Sequence, residues 1–316
     1  QLAKLNGDTF DKVVYERAQK SLDFLDACID PVTGELPNYG ANDGALFFKL
    51  TNDDYRVYRS QLDDLRAVLN GYIYFGSNSS LWYGIQPKQK KQAALPEISE
   101  FTKGGYYIIQ EGNTKTFIRC GAYKDRPYQS DNLHIDIWID GKNVLRDNGS
   151  YQYNTSKELI NYFNGSEGHN TISIDGKDQM QKGDRFIWNY WVKYAKANLT
   201  ESQNKFVFKG EIKGFKHLDS NILHQRIVTK SKGLNEWIVK DIISGVENKT
   251  SFQYWHFSNE MIDKLSITSL DRNNKKLEPI LEEKWYSSYY GVKEKSTRLS
   301  FESNTNMFTT KITYKK

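Results

Sequence analysis

From residue 99 onward the chain is a succession of short, mostly alternating apolar segments: GGYYIIQ, TKTFIRCG, LHIDIWI, NVLRD, HNTISI, KFVFKGEI, HQRIVTK, EWIVKDIISG, SFQYWHF, TRLSFES and MFTTKITY. Period-2 alternation gives each a greasy and a polar face, and Gly, Asn and Asp punctuate the joins. So many short strands without helices between them can bury those faces only as a large antiparallel β-sandwich. Residues 99–316 are therefore read as one sandwich.

The upstream part follows another period. Residues 9–28 place Phe10, Val13, Val14, Leu22 and Leu25 at helical spacing, with Asp8 or Thr9 as cap and a stop at Asp30-Pro31. The polar, Gly-rich ELPNYGANDGALFFKL comes next, then a second helix from Asn52 or Asp53 toward residue 75, and a short one over 76–85. Three helices cannot cover both faces of a helical layer by themselves, so residues 1–85 are expected to lean on another element. The polar, basic run 86–98 (QPKQKKQAALPEI) reads as the linker.

Composition removes several classes. Hydrophobic residues make up 38% and mean hydropathy is −0.71, yet aromatics reach 14%, enough for a core and suited to stacking on sugars. The net charge of +5 comes from scattered Lys and Arg rather than a basic stripe, so no nucleic-acid partner is indicated. Cys28 and Cys120 form no metal-knuckle or disulfide pattern. No apolar run approaches the ~18–20 residues of a membrane span. The start at Gln1, without Met or a signal-peptide core, reads as a mature product or an excised piece. Sequons such as those at Asn78, Asn154 and Asn198 are too common to signify glycosylation.

The segment richest in chemistry is RPYQSDNLHIDIWIDGKNVLRDNGSYQYN, residues 126–154. Asp140-Gly141 signals a two-residue hairpin turn. Counting outward equally from that turn sets Asp147 directly opposite His134, at the roughly 4.5–5.5 Å β-carbon spacing of a cross-strand pair. His169, opening HNTISI after a Gly-rich loop, completes two imidazoles and a carboxylate, a donor set suited to zinc or a similar divalent ion. Asp136 shares a face with His134 and is a reserve ligand or an orienting partner. Tyr151 and Tyr153 alternate after Asp147 and are candidate proton donors or acceptors. NYGAND (38–43) concentrates hydrogen-bonding groups on one loop. His224 and His256 read as core or sheet residues, and His217 as exposed.

Three of these segments, PNYGANDGALF (37–47), DNLHIDIW with LRDNGSYQYN (131–154) and GHNTISIDGKDQM (168–180), resemble the heparinase II/III-like polysaccharide lyases, and WYSSYYG (285–291) looks like their C-terminal sandwich. The resemblance implies an incomplete α/α toroid packed on an antiparallel β-sandwich, with an acidic polysaccharide as partner. It implies a divalent metal, usually zinc, on His134, Asp147 and His169, and β-elimination at a uronic acid. Catalytic candidates are then Tyr153 and Tyr151; substrate-binding candidates are Tyr39, Asn42 and Arg126, with Arg146 a weaker one. The family's Asn-His pair and main tyrosine have no counterpart before residue 37, so they are expected upstream of Gln1. Asn132 stands where some relatives carry a catalytic histidine. A periplasmic or secreted location follows from the resemblance, and a homodimer is compatible with it. The alternatives are a non-catalytic acidic-carbohydrate-binding or assembly module and, with no evident carboxylate pair, a glycoside hydrolase.

Overall fold

The computed structural model describes residues 2–46, 48–76 and 79–315. Phe47, in the first of the motif segments, and Ser77 and Asn78, in the expected short helix and sequon, lie outside the described residues. The chain divides into two compact units: Gln1–Pro37 with Ala45–Pro96, and Asn38–Gly44 with Glu97–Lys316. The loop 38–44 thus belongs with the sandwich rather than with the helices flanking it in sequence.

In the helical unit, Lys12–Cys28 forms the first helix and buries Leu22, Ala27 and Cys28. It stops where Asp30 turns its carboxylate onto the amides of Val32 (3.0 Å) and Thr33 (2.8 Å). The second helix is shorter than its apolar pattern suggests, Arg59–Asn70, and closes on Gly71 in the left-handed region (φ 78°). Buried Arg66 ties the helices together through ion pairs to Asp63 and Asp26. Asp63 also accepts the amides of Tyr74, Phe75 and Gly76 at 2.7–2.9 Å, fixing the turn beyond the helix. A 3-10 turn, Ser79–Leu81, occupies part of the expected third helix. The expected linker includes Gln89–Lys90, which pairs in parallel with Tyr72–Ile73. No described helix is long and apolar enough to cross a membrane.

The other unit is the expected antiparallel sandwich, built of three main sheets. A six-stranded sheet runs in the order Ala195–Glu201, Lys205–Ile212, Leu223–Ser231, Glu236–Ser244, Met307–Tyr314, Leu265–Leu270. A five-stranded sheet holds Ile98–Phe101, Tyr106–Glu111, Thr114–Arg119, Ile135–Ile139 and Lys142–Leu145 in sequence order. A four-stranded sheet orders Ile280–Tyr286, Glu294–Ser303, Ser251–Phe257 and Ile172–Ile174. Alternation is regular: in Lys205–Ile212 the buried side chains are Phe206, Phe208 and Ile212, with Gly210 between them. Inward residues of all three sheets form one apolar core, including Ile135, Ile137, Phe208, Trp237, Trp255 and Phe301. Trp237 Nε1 donates to Thr116 Oγ1 (2.9 Å), a buried link from the six-stranded to the five-stranded sheet.

The hairpin closes at Asp140-Gly141, with φ of 51° and 76°, the pair of positive angles a type I′ turn requires. Its register departs from the equal count. Ile139 pairs with Lys142 and Trp138 with Asn143, but Ile137 pairs with Leu145, so a bulge takes up Val144. The strands end at Ile135 and Leu145, short of both His134 and Asp147. Direct cross-strand pairing of those two residues is therefore corrected. What fixes Asp147 here is its amide, which donates to Asp136 Oδ2 (3.2 Å).

Candidate functional site

The 3-10 turn Ser166–Gly168 delivers His169 into the interior, where it is fully buried. Gly168 is required for this path: a Cβ there would stand 2.3 Å from the Tyr162 carbonyl oxygen. His169 Nδ1 donates to the Gly165 carbonyl (2.7 Å), which turns Nε2 toward Asp147 Oδ2 at 3.2 Å. The His134 and His169 rings lie edge to face with centroids 5.7 Å apart. Both Nε2 atoms are buried without a hydrogen-bond partner. Burial works against the His169 cation, but the Asp147 charge outweighs it and lifts this imidazole to about 9. Asp147 shows the reverse balance. Burial would raise it, yet the His169 and His134 charges and the Gly149 amide hold it below the usual carboxylate range.

These residues fit a divalent ion unequally. Among the described residues no three His, Cys, Asp or Glu groups stand at ligand spacing. His169 and Asp147 are nevertheless disposed as two ligands of one centre, with the carbonyl-anchored ring common in metal sites. His134 Nδ1 accepts the Asn170 amide (3.0 Å), which leaves the neutral ring's proton on Nε2. Ligation through His134 Nε2 would move that proton to Nδ1 and open the Asn170 contact. Asp136, 3.9 Å from His134 Nε2, lies close enough to bias that ring.

A second layer, missed in the sequence, holds this set in place. Asn170 bridges the loops: its amide reaches His134, its Nδ2 donates to the Ile135 carbonyl (2.8 Å) and its Oδ1 accepts the His256 amide (2.6 Å). Arg226 Nη1 donates to the carbonyls of Leu133 (2.6 Å) and Asn170 (2.5 Å), each the neighbour of a candidate ligand. The signal available was polarity at the wrong parity: in HQRIVTK, His224 and Arg226 occupy inward positions of an alternating strand.

The remaining candidates fall into smaller groups. Asn42 and Ser150 hold each other, the Asn42 amide donating to Ser150 Oγ at 2.9 Å. Tyr39 packs edge-on against Tyr106 (5.5 Å) and beside Phe117 (5.9 Å). Tyr153 packs against Phe186 (5.5 Å) and Tyr290 (5.4 Å), and exposed Arg126 lies 5.3 Å from the Phe186 ring centre. Burial, then the Asp43 charge, raises the Tyr153 phenol. Tyr151 does not share the Tyr153 surroundings. Residues 146–154 have left the sheet, Tyr151 takes a positive φ of 57°, and its ring rests on Phe163 (5.7 Å). Arg146 is buried, stacked 3.5 Å from the Tyr286 ring centre and donating to Ser296 Oγ, which removes it from contact with a sugar. Asn132 is likewise buried, its Oδ1 accepting the Gly121 amide at 2.8 Å.

Two adjoining depressions open among these residues. One, of about 300 Å³, is lined by Lys103, Tyr106, Arg119, Lys124 and Arg126. The other, about 320 Å³, is lined by Tyr153, Arg185, Phe186 and Asn164, and Tyr128 belongs to both.

The same architecture is found in several solved heparinase and heparan sulfate lyase structures. Over 99% of its length the chain superposes on a lysine-methylated heparinase III gene product, with a TM-score of 0.71 and 17% identity, covering 48% of that protein. Over 92% it superposes on the heparan sulfate lyase HepC of Pedobacter heparinus, with a TM-score of 0.67 and 18% identity, covering 45% of that chain. In sequence, 97 residues are 29% identical to a heparin-sulfate lyase of Bacteroides stercoris, 28% of this chain and 15% of that protein. The chain thus spans less than half the length of these relatives. The model of the family described as "Heparinase II/III-like, C-terminal" matches residues 93–315, nearly the whole sandwich unit, and the chain belongs to that family.

Proposed function

We propose that this chain is the C-terminal half of a polysaccharide lyase that opens a uronic-acid polymer by β-elimination, its sandwich holding a divalent ion, zinc by donor chemistry, on His134, Asp147 and His169. The observation that carries this reading is one continuous segment. Asp147 faces a buried imidazole at 3.2 Å, and the chain running on from it supplies Ser150 and Tyr153 to the lining of an aromatic, basic depression. When bound, the ion would supply fixed positive charge that cross-links three loops. The elimination itself needs a neutralised carboxylate, a base at C5 and a proton for the departing oxygen. Arg126 is exposed and suits the first task. A raised Tyr153 phenol stays protonated near neutral pH, which suits it to donate rather than remove a proton. Tyr151 is the second candidate for proton transfer, while Tyr39 and Asn42 shape the surface that the sugar meets. Residues that remove the C5 proton belong to the preceding part of the parent protein, which acts outside the cytoplasm, in the periplasm or after secretion.

The test is incubation of the full-length parent with heparan sulfate, alginate and other acidic glycans. An unsaturated product absorbing in the near ultraviolet is expected, and none from any of them would remove the enzyme. One observation favours a non-catalytic, glycan-binding role instead. Asn132, at the position of a catalytic histidine in some relatives, is fully buried, its Oδ1 taken by the Gly121 amide. Binding without turnover by the full-length parent would establish that reading.

A further inference from the structure

We propose that Asp178 is a positioning residue for His169: it holds from behind the peptide group on which that imidazole rests, and so sets the direction of His169 Nε2 toward Asp147. This rests on the divalent-ion reading above in one respect, the task for which the ring is held.

The end of the segment GHNTISIDGKDQM folds back onto its beginning. Half-buried Asp178 accepts the Ser166 amide on Oδ1 at 2.7 Å, and the Gly165 carbonyl accepts His169 Nδ1 at 2.7 Å. That carbonyl and that amide are the two ends of one planar peptide group. Carboxylate, peptide and imidazole therefore form a single hydrogen-bonded chain. A peptide that gives its N–H to an anion is polarised, and its oxygen becomes the stronger acceptor. The same oxygen also accepts the Gly168 amide (3.1 Å), so the turn that delivers His169 closes on it.

The close approach of the carboxylate depends on Gly165, where a Cβ would lie 2.8 Å from Asp178 Oδ1 and 2.6 Å from the Asn161 carbonyl oxygen. Asp178 is itself anchored through its neighbour. The Gln179 side chain accepts the Asn132 amide (3.0 Å) and donates to the Asn132 carbonyl (2.7 Å), while its own carbonyl accepts the Phe215 amide (2.7 Å). Asn132 precedes His134 by two residues, so one dipeptide supports the approach to both imidazoles. Burial, opposed first by the Ser166 amide, pushes the Asp178 carboxyl up to about 6, which leaves it ionised at about pH 8. An aspartate that only closed the 165–168 turn would change stability and leave the imidazole proton untouched. The two roles differ at His169 Nδ1.

The experiment is magnetic resonance at about pH 8 on the chain carrying isotope-labelled histidine, after a chelator has removed metal. His169→Gln identifies the His169 Nδ1 proton among those of the five histidines. Asp178→Asn, which keeps the shape and an acceptor oxygen but removes the charge, should move that proton upfield while thermal unfolding stays near that of the parent. Asp178→Ala should lose the resonance to solvent exchange. Asp175→Asn is the control: this exposed aspartate accepts the Thr250 amide (2.9 Å), and its loss should leave the His169 proton where it was. Because Asp178→Asn preserves shape, it tests the link even where Asp178→Ala fails to fold. Zinc affinity, measured by competition with a chromophoric chelator, should fall about tenfold in Asp178→Asn, the low end for a residue standing behind a ligand. An unmoved His169 proton in Asp178→Asn overturns the proposal, and so does zinc held there as tightly as by the parent. A moved proton in a chain whose parent binds no zinc removes the metal reading and leaves the link standing. Zinc bound by the parent, with the proton unmoved in Asp178→Asn, does the reverse.

Discussion

Arg226 and Asp241 face each other across neighbouring strands with no exposed surface on either side chain: Nε lies 2.7 Å from Oδ1 and Nη2 2.6 Å from Oδ2. His224 Nε2 and Gln253 Nε2 complete the shell around the carboxylate, each at 2.7 Å. The remaining guanidinium nitrogen holds the carbonyls beside His134 and His169. The pair thus connects the six-stranded sheet to the loops that carry the candidate ligands.

Removing one partner from such a pair leaves a buried charge uncompensated, at a cost of about 3–5 kcal/mol. Arg226→Met and Asp241→Asn are each expected to lower the denaturation free energy by about that amount. Arg226→Met should also reduce metal retained per chain, because the loops around both imidazoles lose their anchor. An Arg226→Met protein as stable as the parent would show that the pair contributes no net stability.

Acid sensitivity follows from two other imidazoles. Burial, foremost, depresses both His224 and His256 below the ordinary 6.5, His256 well below it. A depressed histidine binds fewer protons folded than unfolded, so its contribution is complete above 6.5 and is lost as pH falls through the folded value. In the metal-free protein, on which this profile is to be measured, His169 has the opposite sign, raised to about 9, but its contribution changes only between 6.5 and 9 and is constant below. Asp241, held below 3.8 against burial chiefly by Arg226, adds a second loss at the acid end. Urea midpoints should therefore fall steadily from pH 6.5 to 4.5. A flat profile across that range would exclude the buried neutral histidines as its source.

The strands and the 140–141 turn were legible because alternation and Asp-Gly are local signals that tertiary packing here reinforces. The bulge at Val144 was not legible. It depends on where the Asp147 amide goes once Asp136 is folded beside it, a contact made across the hairpin rather than along the chain. The same displacement explains Tyr151 and Tyr153. Their alternation is genuine, but beyond Arg146 there is no sheet for it to act on, and a positive φ at Tyr151 breaks the parity. Loop 38–44 was recognisable as special from its polarity, whereas its membership in the sandwich unit rests on Ser150 and Tyr290, over a hundred positions away.

Metal removal offers a direct check on the buried imidazoles. The parent should contain close to one equivalent of divalent metal by elemental analysis. A strong chelator should lower its unfolding temperature, since binding energy at a site absent from the unfolded chain is folding energy. His169→Ala should start at the lower temperature and show no further change with chelator. A parent without metal, and indifferent to chelator, would leave the 3.2 Å His169–Asp147 contact as an ion pair alone.

Two glycines distinguish backbone strain from close packing around the same loop. Gly149 follows Asp147 by two residues, takes φ +83°, and approaches the end of the Ile280–Tyr286 strand so closely that a Cβ would lie 2.2 Å from the Ser287 carbonyl oxygen. That approach is fixed from both sides. The Gly149 amide donates to Asp147 Oδ1 (2.6 Å) and the Ser287 amide to the Asn148 carbonyl (2.8 Å), so neither backbone can retreat without breaking a bond. Gly233 has a similar φ of +72° but open space where its Cβ would be. Gly233→Ala should cost only the left-handed penalty, about 1–2 kcal/mol. Gly149→Ala bears that penalty plus a clash, and should cost clearly more. Because its relief moves Asp147, it should also lower metal retention, which Gly233→Ala leaves intact. Equal losses of stability in the two variants would mean that the loop beside Asp147 yields freely, and that Gly149 does not hold the carboxylate in place.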